Sequence, residues 1–248
     1  MDKTSNKIGF SKIGGIFIGK NIESALHQHQ SIAVVFSLNE SFEIFFENGK
    51  SMQCQGAIIP REISYKLISS KSDYTVFLHI DPFSEVGITL TQNDNNIHSL
   101  NRSNFAELLH DYIDWFKGED NTQQRVHELI EKTVKLLKER YLFFKNIDER
   151  VLKCIEYARN LSDESFTLKK AADIAELSKS RFYHLFKENT GISFRQFLLH
   201  CKLVKSLQSI HHQDDLTEAT FFGGFSDQPH FHRTFKKNFG IKPSIIKK

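Results

Sequence analysis

The side chains best suited to chemistry lie on one face of a short segment near the end of the chain, from Ser180 to Asn189. A helical period of 3.6 residues places Phe182, Leu185 and Phe186 together on the opposite, apolar face. Hydroxyl, phenol and imidazole groups can hydrogen-bond to base edges in a DNA groove, and cationic groups can bind phosphate. The polar face carries Ser180, Tyr183, His184 and Lys187. We expect Ser180, Tyr183 and His184 to contact base edges, and Arg181 and Lys187 to bind phosphate.

A second segment of the same character runs from about Asp227 to Phe239, with Phe231 and Phe235 on its apolar face. Its polar face carries the remaining candidate DNA-binding residues, which are Gln228, His230, Arg233, Lys236 and Lys237. A guanidinium can bond bidentately to guanine, so Arg233 is the strongest candidate for reading a base, unless it forms an ion pair within its own domain. For Lys236 and Lys237 we expect salt-dependent attraction to phosphate. His184 and His230 could equally be ordinary polar surface residues.

The two segments are copies of one sequence repeat. Shifting the chain by 49 residues matches six of the eleven positions from Phe182 to Ile192 with identical residues. Each copy reads as a short helix, a tight turn, a longer helix and a terminating glycine, which is the pattern of a helix-turn-helix. One long helix, roughly Phe194 to Ile210, joins the copies. The repeat predicts two recognition helices that enter the major groove about one turn, ~34 Å, apart.

The residues of the second copy, from Gly224 to Lys236, resemble the signature of the AraC family of bacterial transcription regulators. That signature reads Gly-Phe-x-x-x-x-x-Phe-x-Arg-x-Phe-Lys, and Gly240 and Pro243 follow at the usual intervals. The first copy, Leu177 to Lys187 and then Gly191, strengthens the likeness, which covers about residues 148–248. The resemblance implies a cytoplasmic protein that binds promoter DNA, contacts RNA polymerase and usually activates transcription.

Two departures from the family pattern concern the second copy and the joining helix. Pro229 stands early in the second recognition helix, where relatives often have a small polar residue. Proline is tolerated in a first helical turn, so we expect the helix to persist. Lys202 and Ser206 stand where relatives tend to have Arg and Ala. We expect little functional change from either departure.

The first part of the chain is predicted to be β-rich and then helical. Strands are expected at 32–36, 41–46, 56–59, 64–68 and 74–80, which suggests a sandwich or small barrel. Two helices, at 104–117 and 122–144, follow from the period of their apolar residues. Their stripe of Leu129, Val134 and Leu137 could form a dimer surface or pack on the sheet. The predicted fold class is α+β. With His27-Gln28-His29, the strands behind it and the run from Gly56 to Pro60, residues 1–145 resemble the cupin-like effector or oligomerisation domain of many AraC-family regulators, and residues 146–248 are predicted to form an all-α double helix-turn-helix domain.

The pair His27 and His29 is the candidate effector site of the first domain. A metal-binding cupin would add a glutamate a few residues later and a further histidine, so that three or four ligands converge on the ion. The next glutamate, Glu40, is too far along the chain, and residues 62–65 lack the expected histidine. We therefore expect no metal and no other cofactor, and we interpret the pair as pocket or surface residues.

The charge distribution agrees with a polyanionic partner for the second domain. Residues 1–145 hold 16 basic and 18 acidic residues, whereas residues 146–248 hold 17 basic and 12 acidic residues. Three separated cysteines without a CxxC pattern favour a reducing compartment, and no apolar run suits a membrane. We find no catalytic motif and expect no enzyme activity.

The expected partners are double-stranded promoter DNA, RNA polymerase, a small-molecule effector and a second copy of the chain. Two alternatives stay open beside the transcription regulator. One is an effector-binding protein with a relic DNA-binding module, and the other is a cupin-type enzyme fused to such a module.

Overall fold

The structure, a computed structural model, describes residues 6–91, 95–138, 141–160, 166–210 and 216–246. The chain divides into two compact units. Unit 1 combines residues 1–144 with residues 232–248, and unit 2 spans residues 145–231. The last helix crosses the division, because its first residues belong to unit 2 and its remainder belongs to unit 1. The domain boundary predicted between residues 145 and 146 stays a prediction.

Unit 1 is built on strands that form two main sheets. The described strands are β1 (Asn6–Ser11), β2 (Gly14–Gly19), β3 (Ile32–Ser37), β4 (Phe42–Phe46), β5 (Ser51–Cys54), β6 (Gly56–Ile59), β7 (Tyr65–Ile68), β8 (Thr75–Ile80), β9 (Leu90–Thr91), β10 (His98–Leu100) and β11 (Phe143–Phe144). A six-stranded sheet has the order β1-β2-β8-β3-β6-β10, and a three-stranded sheet has the order β5-β4-β7. The short strands β9 and β11 pair separately.

Strand β3 lies inside the larger sheet and is buried along its whole length. Its alternate residues face two different cores, as the pleat requires. Ala33 and Val35 point toward the smaller sheet and pack with Ile44 and Leu67 of that sheet. Val34, with Ile32 and Phe36, points to the other face and packs against helices. The two sheets therefore form a sandwich, and a helical layer covers the outer face of the larger sheet.

That helical layer consists of α2 (Ala106–Lys117) and α3 (Gln123–Leu137), preceded in the chain by the short helix α1 (Glu85–Thr89). Leu129, Val134 and Leu137 are all buried in the core beneath it. The apolar stripe on α3 thus packs on the sheet, and these three residues do not offer an exposed dimer surface. Helix α3 ends at Leu137, short of the predicted end at 144, because Lys138 adopts an extended backbone with ψ 153°.

The remaining helices follow the predicted order. They are α4 (Glu149–Asn160), α5 (Leu168–Ile174), α6 (Lys179–Thr190), α7 (Phe194–Ile210), α8 (Leu216–Phe222) and α9 (Gln228–Phe239), and a 3₁₀ turn follows at Pro243–Ile246. Thr167 caps α5 as predicted, since its side chain accepts a hydrogen bond from the Lys170 N–H. A β-rich N-terminal region followed by helices confirms the predicted α+β class.

Candidate DNA-binding helices

The first candidate recognition helix, α6, has a defined cap at each end. The Ser178 hydroxyl accepts a hydrogen bond from the Arg181 N–H at 3.3 Å. At the other end Gly191 adopts φ +82° and donates its N–H to the Lys187 carbonyl at 2.8 Å. Glycine adopts this left-handed conformation without a Cβ clash, so the helix ends at one position.

Aromatic packing determines which face of α6 points outward. Phe182 and Phe186 are fully buried. Their rings pack on Phe194 with centroid distances of 5.7 Å and 5.3 Å, and Phe186 also contacts Phe197 at 5.3 Å. Because these rings are held on the inner face, the polar residues one half-turn away are presented to solvent.

The five candidates on α6 differ in exposure. Ser180, Arg181, His184 and Lys187 are exposed, and Tyr183 is half-buried. The Tyr183 and His184 rings meet edge to face, with centroids 5.5 Å apart. This arrangement combines hydrogen-bonding groups and positive charge on one outward face, as expected of a helix that enters a DNA groove.

The second candidate helix, α9, repeats the end structures of α6. Asp227, 49 residues after Ser178, accepts a hydrogen bond from the His230 N–H at 2.7 Å. Gly240, 49 residues after Gly191, adopts φ +69° and donates its N–H to the Lys236 carbonyl at 2.8 Å. Pro229 is the second residue of α9, where a missing N–H costs no helical hydrogen bond.

A side-chain contact near the end of each helix is repeated as well. The Asn189 amide donates to the Leu185 carbonyl, and the Asn238 amide donates to the Thr234 carbonyl, each at 2.8 Å. The sequence repeat is therefore a repeat of local structure. Both copies use the same residue position for the N-cap, the amide contact and the terminating glycine.

The candidate side chains on α9 differ in their exposure and in their contacts. Arg233, Lys236 and Lys237 are exposed, and Arg233 forms no ion pair with any residue that the structure describes. Gln228 and His230 are half-buried. The Gln228 amide donates to the Thr217 hydroxyl at 2.7 Å, and the His230 ring packs edge to face on Phe225.

The candidate effector residues His27 and His29 lie elsewhere, within the sandwich of unit 1, and both are buried. Their Nε2 atoms are 3.0 Å apart, and the Tyr65 hydroxyl is 2.6 Å from the His29 Nε2. The His79 ring packs on the His29 ring with centroids 4.4 Å apart. We call His27, His29, Tyr65 and His79 the histidine cluster.

Sequence reasoning missed two members of this cluster, Tyr65 and His79. His79 pairs with Ala33 in the sheet, and directly paired residues point to the same side, so His79 faces the inside of the sandwich. The alternation of inward and outward side chains along the predicted strand 74–80 could have indicated that His79 faces inward. Tyr65 reaches the cluster through an antiparallel bridge to His27, a pairing that local patterns do not specify.

Burial controls the ionisation of the cluster. It lowers the pKa of His27 and of His29, and it lowers the pKa of His79 to about 3. It also raises the pKa of the Tyr65 hydroxyl. All four side chains are therefore neutral near pH 7. Within the described part of the chain, no group of three His, Cys, Asp or Glu residues could hold a metal ion.

Residues 171–248 match the family model described as a helix-turn-helix domain. The transcriptional activator RhaS of Escherichia fergusonii is 30% identical over 103 residues, which are 41% of this chain and 37% of RhaS. The C-terminal region is an AraC-type helix-turn-helix domain. This match confirms the resemblance seen in the repeat, although the chain spans little more than a third of RhaS.

Two further likenesses extend beyond the AraC-type domain. LumQ of Photobacterium leiognathi, a probable transcriptional regulator, is 22% identical over 230 residues, covering 88% of this chain and 90% of LumQ. The structure of ToxT from Vibrio cholerae matches with a TM-score of 0.58 and 11% identity, covering 98% of this chain and 97% of ToxT. At that identity the likeness to ToxT shows the fold. None of the described helices is long and apolar enough to cross a membrane.

Proposed function

We propose that this protein is a sequence-specific DNA-binding transcription regulator that reads promoter DNA with α6 and α9. The observation that carries the proposal is the structural repeat within residues 171–248. Two helices with matching caps each present polar and basic side chains outward, inside a segment of the AraC-type domain. Two recognition helices in one chain can read two stretches of major groove.

On α6, Ser180, Tyr183 and His184 are the proposed base-reading residues. They lie near the N-terminal half of the helix, which is the part of a recognition helix that meets base edges. Arg181 and Lys187 are placed to bind phosphate. Such contacts strengthen binding to any DNA and weaken as salt is added.

On α9, Arg233 is the proposed reader of guanine, and Lys236 and Lys237 are the proposed phosphate contacts. The exposed guanidinium of Arg233 supports this role, because it is not engaged with another described side chain. Gln228 and His230 remain proposed contacts. Gln228 would have to exchange its hydrogen bond to Thr217 for one to a base.

The remaining features of the proposal concern the whole chain. Residues 146–248 serve as the DNA-binding domain, and residues 1–145 serve as the effector or oligomerisation domain. The protein acts in the cytoplasm, activates transcription through RNA polymerase, and forms a homodimer. The relative RhaS is an activator, which supports the proposal that this protein activates transcription. We propose no enzyme activity.

The β-sandwich is the proposed effector-binding region. A ToxT structure with an unsaturated fatty acid bound matches this fold at a TM-score of 0.59 and 11% identity. A long-chain carboxylic acid is therefore a reasonable first ligand to test. Titration calorimetry with oleate, and with acetate as the control, measures whether the acyl chain contributes to binding.

Selection from a random pool of DNA duplexes by the purified full-length protein, at near-physiological salt, tests DNA reading. We expect enrichment of a motif with two subsites about ten base pairs apart. Arg233→Ala should lose one preferred base in one subsite, and His184→Ala should change the other subsite. Lys50→Ala, which removes an exposed positive charge from a hairpin turn in unit 1, is the matched control.

The enriched sequences also decide between the alternatives. Binding that shows no preferred sequence and disappears when salt is added would contradict sequence-specific regulation. Metal analysis of the same preparation addresses the enzyme alternative. Stoichiometric iron, manganese or zinc would support a cupin-type enzyme fused to a DNA-binding module.

A further inference from the structure

The end of α9 packs against the histidine cluster, inside unit 1. We call residues 238–240 the C-terminal turn. The Gly240 carbonyl accepts a hydrogen bond from the Ala25 N–H at 2.8 Å. A Cβ atom added to Gly240 would lie 2.4 Å from the His27 Nδ1, so the backbone of the turn rests directly on this imidazole.

Other members of the cluster contact the same turn. The Phe239 ring meets the His79 ring edge to face, with centroids 5.4 Å apart, and lies 6.2 Å from the His29 ring. His29 also hydrogen-bonds to the backbone of Asn238. Three consecutive residues of the turn thus cover three imidazoles, and the turn itself contributes to the burial of the cluster.

The groups that face these imidazoles are mostly neutral. The segment before β3 contributes His27 and His29, β7 contributes Tyr65, and β8 contributes His79. From α9 come the apolar Phe239 and the backbone of Asn238.

The loop before β7 carries two ionic residues next to the His29 backbone. Exposed Glu62 donates its N–H to the His29 carbonyl, and half-buried Arg61 precedes it. The imidazoles of His79 and His27 lower the pKa of His29 electrostatically. The imidazole of His27 lowers the pKa of His79 in the same way. A proton added to the cluster would therefore meet other imidazoles.

We propose that the histidine cluster is a pH-sensitive binding site for the C-terminal turn of the same chain, which holds the end of α9 at neutral pH and releases it in acid. A neutral cluster accommodates the apolar ring of Phe239. A protonated cluster needs water, which it regains when the turn leaves.

The direction of the pH effect follows from linkage. With the turn in place, burial keeps the histidine pKa values below their ordinary value of about 6.5, and with the turn released they rise toward it. The released state therefore binds more protons, and release becomes more favourable as the pH falls below about 6.5. The hydrogen bond to Asn238 opposes this effect on His29, but it is a smaller influence than burial. Each imidazole that regains its ordinary pKa shifts the release equilibrium about tenfold per pH unit.

Amide hydrogen exchange in the full-length protein measures release directly. The observed exchange rate of each amide is divided by its intrinsic exchange rate at the same pH. The Ala25 N–H is a suitable reporter because Ala25 is exposed and its N–H donates to Gly240. Between pH 7.5 and 5.5 we expect protection of Ala25 and of residues 236–240 to fall together, by at least tenfold. Protection in the core of β3 should stay constant.

Two variants separate the cluster from a general effect of acid. Gly240→Ala should release the turn at every pH, because the new Cβ would clash with His27 and because φ +69° disfavours alanine. Its Ala25 protection should be low and independent of pH. His79→Phe keeps a ring against Phe239 but removes one titrating group, so the dependence on pH should become shallower. His110→Asn, at an exposed position on α2, is the control and should behave as the unaltered chain.

The proposal is wrong if Ala25 protection in the unaltered chain is the same at pH 7.5 and 5.5, or if Gly240→Ala keeps the original dependence on pH. The consequence for DNA binding rests on the proposed function, since it assumes that α9 reads DNA. Duplex binding measured over the same pH range tests that consequence. Loss of protection without any DNA binding would retain the pH-sensitive contact and reject the regulator.

Discussion

The two copies of the helix-turn-helix repeat end their second helices, α6 and α9, in the same way but form their turns differently. Four residues, 175–178, separate α5 from α6, and five residues, 223–227, separate α8 from α9. Both turns contain one residue in the left-handed region, which is Glu176 at φ +54° in the first copy and Gly224 at φ +83° in the second. The longer turn uses glycines where the shorter one uses residues with side chains.

Close packing on α7 explains the glycines of the second turn. A Cβ at Gly223 would lie 2.7 Å from the Lys202 carbonyl and 1.9 Å from the Ser206 Oγ. The Lys202 ammonium donates a hydrogen bond to the Gly224 carbonyl. The comparison indicates that equivalent recognition helices can be held by different turns, provided that the helix caps are kept.

The largest effect on stability is expected from Gly223→Ala. The added methyl group meets backbone on α7 that cannot rotate away, so unfolding of unit 2 should become easier by about 2–3 kcal/mol. Urea unfolding followed by hydrogen exchange in peptides from 145–231 measures this change. Glu218→Gln, at an exposed position on α8, is the control. An unchanged midpoint for Gly223→Ala would mean that the turn does not approach α7 so closely.

Arg233→Ala addresses whether both copies read DNA. Loss of a bidentate contact to guanine should weaken specific binding by about 1–3 kcal/mol and leave non-specific binding nearly intact. Fluorescence anisotropy with the selected duplex and with a scrambled duplex measures both quantities. Equal losses on the two duplexes would assign Arg233 to phosphate contact or to the structure of the domain.

Exchanging the left-handed residues sharpens the comparison of the turns. Glu176→Gly should stabilise unit 2 by about 0.5–1 kcal/mol, because glycine adopts positive φ without the steric cost that glutamate bears. Gly224→Ala should destabilise it by a similar amount, for the opposite reason. In thermal unfolding, the midpoint temperature of Glu176→Gly should lie above that of the unaltered chain, and the midpoint temperature of Gly224→Ala should lie below it. Shifts in the same direction would show that backbone conformation does not control these turns.

Ser206→Ala should have an effect as small as those of the two turn substitutions. The Ser206 hydroxyl is buried and has no hydrogen-bond partner among the described residues. Removing it should therefore stabilise unit 2 by about 0.5–1 kcal/mol. Urea unfolding tests this. Combining Ser206→Ala with Gly223→Ala should recover part of the loss from the glycine substitution, since the clash with the Ser206 Oγ is gone. Destabilisation by Ser206→Ala would indicate a partner for the hydroxyl, such as a bound water.

Much of unit 2 could be predicted from the sequence by itself. Its predictable features depend on residues within one or two helical turns of each other. They are each copy of the repeat, the bounds of α6 and α7, the caps at Thr167 and Gly191, and the outward face of α6. Such short-range rules can be applied to a sequence window, because a helix makes its hydrogen bonds within itself.

Tertiary structure alone decided the pairing of the strands and the surroundings of His27. The β1–β2 hairpin was not predicted, and the helix predicted over 122–144 ends at Leu137. The histidine cluster joins segments up to 52 residues apart, at His27 and His79, and the C-terminal turn covers it from the far end of the chain. Sheet register and long-range packing depend on contacts between distant segments. The local sequence could therefore identify His27 and His29, but only the folded chain determined that they meet Tyr65 and His79, become buried and contact the end of α9.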